Sequence, residues 1–165
     1  MSNTTEMKGC NEMIGHAIGF AEAGKGQFLK TFGAIADDKY GWSPAEGAKT
    51  PIQLAAHIAV SNYGFAMMFS GEELPPMEEM FAKMAEEEAK LDTIDKVTAA
   101  IDDSHAKLVG VLQNMTEEQY NAPAPPVFEG MKNGDLIFYV GTHYYSHAAQ
   151  VDYIQTCYGD HEFHM

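Results

Sequence analysis

Cysteine is scarce in this chain: there are two in 165 residues, Cys10 and Cys157. They form no metal or redox spacing and cannot build a disulfide scaffold, so they read as free thiols of a reducing cytoplasm. Cations are scarce too. Ten Lys and Arg stand against 24 Asp and Glu, a formal net charge of −14, and no two cations adjoin. Nucleic acid and anionic lipid both need a cationic patch to displace counterions, which excludes them as partners. Long apolar runs are missing. The most apolar stretch, Ile58 to Phe69, is shorter than a membrane span and contains Ser61 and Asn62. The opening MSNTTEMKGC has no basic region followed by an apolar run and does not read as a secretory signal. There is no glycine-rich phosphate loop, and no H-E-x-x-H, which excludes the zincin class.

What the chain does contain is helical periodicity. With 45% hydrophobic and 21% charged residues it is globular and long enough for a sizeable core. A first helix is expected from about Thr5 to Asp38, with Met13, Ala17, Phe20, Gly24, Phe28, Phe32 and Ile35 on one face. Its glycines cost helix stability, so close packing against a neighbour is expected to compensate. Two capping boxes follow, Ser43-Pro44-Ala45-Glu46 and Thr50-Pro51-Ile52-Gln53. The first opens a single turn; the second opens a helix from Pro51 to about Phe69. Pro75-Pro76 introduces a short acidic helix, Met77 to Lys90, whose Glu86 to Glu88 run reads as a solvated face. A third long helix spans about Ile94 to Asn114 on a stripe of Val97, Ile101, Leu108, Leu112 and Met115. Thr116 to Gln119 caps one more turn, three prolines make Asn121 to Gly130 a loop, and a fourth long helix runs from about Asn133 to Tyr158. The expectation is an all-α four-helix bundle with a long connection between its second and third helices. It forms one domain over residues 1–159, with 160–165 as a loose tail.

Seven histidines are the unusual endowment. His143 and His147 are four apart on the fourth helix, so their rings stand roughly 40° apart on one face. Leu136, Tyr139, Val140, Gln150 and Ile154 share that stripe, which points the pair into the bundle. On the second helix His57 lies at the edge of an inward face made by Leu54, Ser61, Phe65 and Met68. Three neutral imidazoles from two helices leave coordination positions open, the pattern of a catalytic rather than a closed structural metal. A divalent ion there keeps its full charge, which acidifies a water or deprotonates a thiol. Imidazole suits zinc, nickel, iron or copper, and manganese is a further candidate. Gln150 is a candidate to orient a ligand imidazole or a water. Ser61 and Tyr139 are candidate pocket residues. His105 reads as a boundary histidine, His16 likewise, and His161 and His164 as tail residues. No Asp or Glu general base stands out on the stripe of the three histidines, and no catalytic residue is assigned.

The segments Trp42-Ser43-Pro44, Thr50 to Ile58, Leu112 to Gln119 and His143-Tyr-Tyr-Ser-His147-Ala-Ala-Gln150 resemble the DinB-like (YfiT-like) family in order, spacing and helical context. His57, His143 and His147 match its metal triad and Gln150 its glutamine. Ala148 and Ala149 replace a common Arg and Gly. The resemblance implies a divalent metal, a homodimer, and either hydrolase or thiol transferase and isomerase chemistry on a small-molecule substrate, including cellular thiols. The alternative is a non-catalytic metal- or small-ligand-binding protein of the stress response on the same fold. A metal-free bundle whose histidines only pack is a third reading.

Overall fold

The computed structural model describes residues 3–165, with side chains from residue 9 on; Met1 and Ser2 of the opening segment lie outside the described residues. Helix α1 (Asn3–Gly33) buries Ile14, Ala17, Ala21, Phe28 and Phe32 along one stripe. Met13 and Phe20, expected on that stripe, are 43% and 37% exposed, because the buried line runs one residue to the side through Ile14 and Ala21. The helix ends at Gly33, short of the expected Asp38. Turns then fold Ile35 back into the core.

The two capping boxes behave differently. At the second, the Thr50 hydroxyl accepts from the Gln53 N–H and the Gln53 side chain accepts from the Thr50 N–H, which opens α2 (Pro51–Ser70). At the first, no helix forms. The Ser43 hydroxyl instead donates to the carbonyls of Ala45 and Ala48, at 2.6 and 2.9 Å, and Gly47 turns the chain at φ 79°. Helix α3 (Met77–Lys90) follows a proline-containing connection, and α4 (Ile94–Gln113) is capped by Thr93. A third capping box at Thr116 opens α5 (Glu117–Asn121). A 3₁₀ turn over Pro126–Phe128 interrupts the following loop.

The expected fourth long helix is divided into α6 (Asn133–Leu136) and α7 (Tyr139–Cys157). Ile137 and Phe138 keep right-handed helical dihedrals, so the break is one of hydrogen bonding. Gly134 is pressed against the Tyr120 ring so closely that a Cβ would stand 2.4 Å from it, which fixes α6 against α5.

Helices α1, α2, α4 and α7 make a four-helix bundle in which α2 packs chiefly on α4 and α1 chiefly on α7. No β-strand occurs among the described residues. The α4 stripe lies in the core as expected, from Val97 through Leu112. His105, expected at the margin, is buried. It faces the Tyr144 hydroxyl at 3.2 Å, and Tyr144 also accepts from Asn62 of α2 at 2.8 Å. Helix α3 lies outside this bundle against α2 and has no buried residue. Residues 160–165 carry no helix or strand. Their backbone is held at His164, whose carbonyl accepts from Gln27 and Thr31 and whose N–H donates to Asp152. No described helix is long and apolar enough to cross a membrane.

Candidate metal centre

The packing of α2 beside α7 brings His57 to the pair on α7. The Nε2 atoms of His143 and His147 are 2.9 Å apart, and those of His143 and His57 are 3.3 Å apart. One nitrogen from each of the three residues falls within 4.8 Å of the others, the one such group among the described residues. Two imidazole nitrogens on a tetrahedral zinc ion, at ~2.0–2.1 Å each, stand ~3.3–3.4 Å apart. The rings are thus spaced as ligands of one cation. They are half-buried, at the margin of the bundle rather than in its interior as the stripe suggested. The buried line of α7 passes one step to the side, through Val140, Tyr144, Ala148 and Val151.

The far nitrogens decide the tautomers. His57 Nδ1 lies 2.8 Å from Glu88 Oε1, and a carboxylate only accepts, so Nδ1 carries the proton. His147 Nδ1 faces Gln150 Oε1 at 2.6 Å and donates likewise. In the neutral form each ring then turns an unprotonated Nε2 toward His143. A single proton on His143 can satisfy one of these lone pairs and not both, whereas a cation satisfies all three nitrogens. The donor set fits a divalent ion. Burial, followed by the neighbouring His147 and His57, pulls the His143 pKa down to about 3, and burial also lowers that of His147. The His143 and His147 nitrogens are therefore free to ligate at neutral pH.

Glu88 was not expected here. It projects from α3, with its side chain 19% exposed against 47% for Glu87, and its second oxygen meets Lys49 at 3.3 Å. The signal was present in the register: Met77, Met80, Met84 and Glu88 fall at spacings of three and four, and all four are half-buried. Gln150 stands where the sequence placed it, against a ligand ring. Ser61 and Tyr139 line one cavity with His57 and His143, and the Tyr139 ring stacks on His143 at 6.0 Å. His16, His105, His161 and His164 take no part in the cluster.

Two spaces reach the histidines. A cleft of about 590 Å³ touches His57 and His147 and is edged by Lys49, Gln150 and Tyr153. An apolar pocket of about 220 Å³ touches His57 and His143 from the other side, under α3.

With this geometry in hand, comparison with known families is decisive. The model of the DinB superfamily matches residues 21–151. The chain belongs to the DinB superfamily. Among solved structures, this DinB protein is similar to a mycothiol-dependent maleylpyruvate isomerase at 16% identity and a TM-score of 0.68, over 84% of this chain and 60% of that one. It thus spans three fifths of the isomerase's length. It is also similar to YfiT from Bacillus subtilis, described as a probable metal-dependent hydrolase with an unusual four-helix bundle topology. That likeness has 18% identity and a TM-score of 0.61, over 88% of this chain and 87% of that one. At these identities the likeness establishes the fold. No match is found among curated proteins.

Proposed function

We propose that this DinB protein is a divalent-metal-dependent enzyme acting on a small-molecule substrate, with zinc or nickel held by His57, His143 and His147. The observation that carries the reading is the convergence of three Nε2 atoms, two of them turned inward unprotonated by Glu88 and Gln150. A divalent ion held there supplies a positive charge that makes an entering water or thiol acidic near neutral pH.

The chain's own groups do the rest. Glu88 fixes the orientation of the His57 ring, and Gln150 fixes that of His147 through a neutral oxygen. Lys49, at the edge of the cleft on the His57 and His147 side, offsets part of the charge of the neighbouring Glu88 Oε2. Tyr139 and Ser61 border the space next to His143 and His57, where they can orient a substrate. No fourth His, Cys, Asp or Glu ligand atom joins the group among the described residues, and two spaces reach it. An open, three-ligand site supports an enzyme over a non-catalytic binder. The mycothiol dependence of the similar isomerase supports a cellular thiol as co-substrate, and the description of YfiT supports water.

The test is elemental analysis of protein purified without a nickel column. Wild type is expected to carry a stoichiometric divalent ion, and His147→Ala to lose it. Equal, negligible metal in both would sink the proposal.

A further inference from the structure

We infer that the non-reacting part of the substrate is an uncharged hydrocarbon group, alkyl or aryl, that lies under α3 with its reacting end at His57 and His143. This deepens the metal-dependent reading above and rests on it.

The apolar pocket at the histidines is walled by Phe65, Met68, Met80, Met84, Phe128 and Tyr139. No Asp, Glu, Lys or Arg lines it, in a chain where 24 residues are acidic. The Ser61 and Tyr139 hydroxyls and the two imidazoles are its polar side-chain groups, all of them neutral partners. A charged or strongly hydrated substituent placed there would lose its water without gaining a partner. The chain has no arginine to fork onto a carboxylate, and Lys49 lies on the opposite cleft against Glu88. A hydrocarbon group has neither problem.

Gly64, Met80 and Met84 also wall a second space of about 650 Å³ between α2 and α3, whose lining includes Lys83, Glu87 and Lys90, so the uncharged lining ends at that shared wall. Methionine side chains are flexible and polarisable, so this wall can reshape around chains of different length. Phe81 and Val127 line the pocket while 54% and 58% exposed, an apolar rim that a ligand would cover.

Straight-chain hydroxamates test this, because their head group ligates an open divalent ion whatever the native reaction. Zinc-loaded protein is titrated calorimetrically with acetohydroxamate, hexanohydroxamate and octanohydroxamate. Affinity is expected to rise about threefold to fourfold per added methylene until the pocket is filled. The informative variant is Gly64→Leu. A Cβ at Gly64 meets nothing within 4 Å, and leucine is the better helix former, so the variant folds while its side chain occupies the shared wall. It is expected to bind zinc and acetohydroxamate as wild type does and to lose the chain-length dependence. Equal affinity for all three probes in wild type overturns the inference and leaves the metal reading standing. So does a chain-length dependence that survives in Gly64→Leu. A wild-type dimer that Gly64→Leu dissociates, with no dependence on chain length, gives the pocket to a second copy of the chain and overturns it as well. Absence of zinc uptake, with no acetohydroxamate binding, overturns the metal reading and this inference together.

Discussion

At the scale of single residues, the His57 and His147 rings of the cluster are aimed by what their far nitrogens touch. Glu88 is the strongest of these partners, because a carboxylate opposite an N–H enriches the ligating nitrogen in electron density and holds the ring against rotation. Replacing it by glutamine keeps the shape and removes the charge. Glu88→Gln is therefore expected to weaken zinc binding by ~10–100-fold, read by competition with a chromophoric chelator at fixed pH. Glu87→Gln, one position away and paired with Lys90 on the exposed side, is expected to leave the affinity unchanged. Equal effects of the two would show that the acidic run acts only as a diffuse field. The contrast also explains what the sequence revealed of the site. The grouping of His57, His143 and His147 was open to the sequence because i,i+4 spacing fixes the relative direction of two rings and helix register puts the third at the edge of an inward face, with the family resemblance matching all three. Three consecutive glutamates instead look like a solvated face, and the deciding fact is which of them continues the methionine line of α3. His105 was misplaced for the converse reason. Periodicity sees only that it borders Ile101 and Leu108, whereas Tyr144 arrives from a different helix to satisfy it.

At the scale of elements, the site depends on how closely α7 lies on its neighbours. On the α1 side the approach is set by Gly24, where a Cβ would stand 3.0 Å from both the Gly141 carbonyl oxygen and Tyr144 Cβ. Backbone cannot step aside there as a flexible side-chain end can. Gly24→Ala is thus expected to destabilise the protein by about 1–3 kcal/mol, the range of overpacked cores, despite alanine's better helix propensity. Gly19→Ala on the same helix, exposed and with nothing within 4 Å, is expected to stabilise by about 0.4–1 kcal/mol. Urea midpoints at constant m-value check both, and the same sign for the two would refute the close-approach argument. The expectation that the glycines of α1 serve close packing thus holds at Gly24, while Gly15, Gly19 and Gly26 face open space. Helix starts were legible to the residue where a threonine cap is followed at the third position by Gln, as at Thr50 and Thr116, while the Thr93 cap of α4 has Lys at that position and lacks the reciprocal half of the box. The Ser43 box failed because its hydroxyl found carbonyls within the Gly47 turn, a choice made by backbone geometry that the four letters do not encode. The break at Ile137–Phe138 was illegible for a similar reason. The segment before it is set by a contact from another element, the Tyr120 ring against Gly134, which local periodicity does not register.

At the scale of the whole molecule, one buried polar chain ties three bundle helices together. Asn62 of α2 donates to Ser104 of α4 at 3.2 Å and to the Tyr144 hydroxyl of α7 at 2.8 Å, and that hydroxyl lies 3.2 Å from His105 Nδ1 of α4. The Tyr144 O–H donates to Nδ1, which must then be unprotonated. Burial lowers the His105 pKa, and the Lys25 ammonium adds to this, against the opposing carboxylates of Glu22 and Asp102. The folded molecule thus resists a proton that the unfolded chain accepts near pH 6.5. Between that value and the lower folded one, the unfolded state binds more protons, so stability falls as pH falls. Above pH 6.5 both states are neutral at this residue and the contribution is fully present. His105→Gln keeps an oxygen that can accept from Tyr144 and removes the titration. Metal-free wild type is expected to lose urea resistance on going from pH 7 to pH 5, and His105→Gln to lose less over the same interval. Because His143 and His147 remain in both proteins, their titration cancels from the comparison, and the difference in slope isolates His105. Parallel curves would mean that the imidazole is protonated in the folded bundle, and that Tyr144 is held by Asn62 alone.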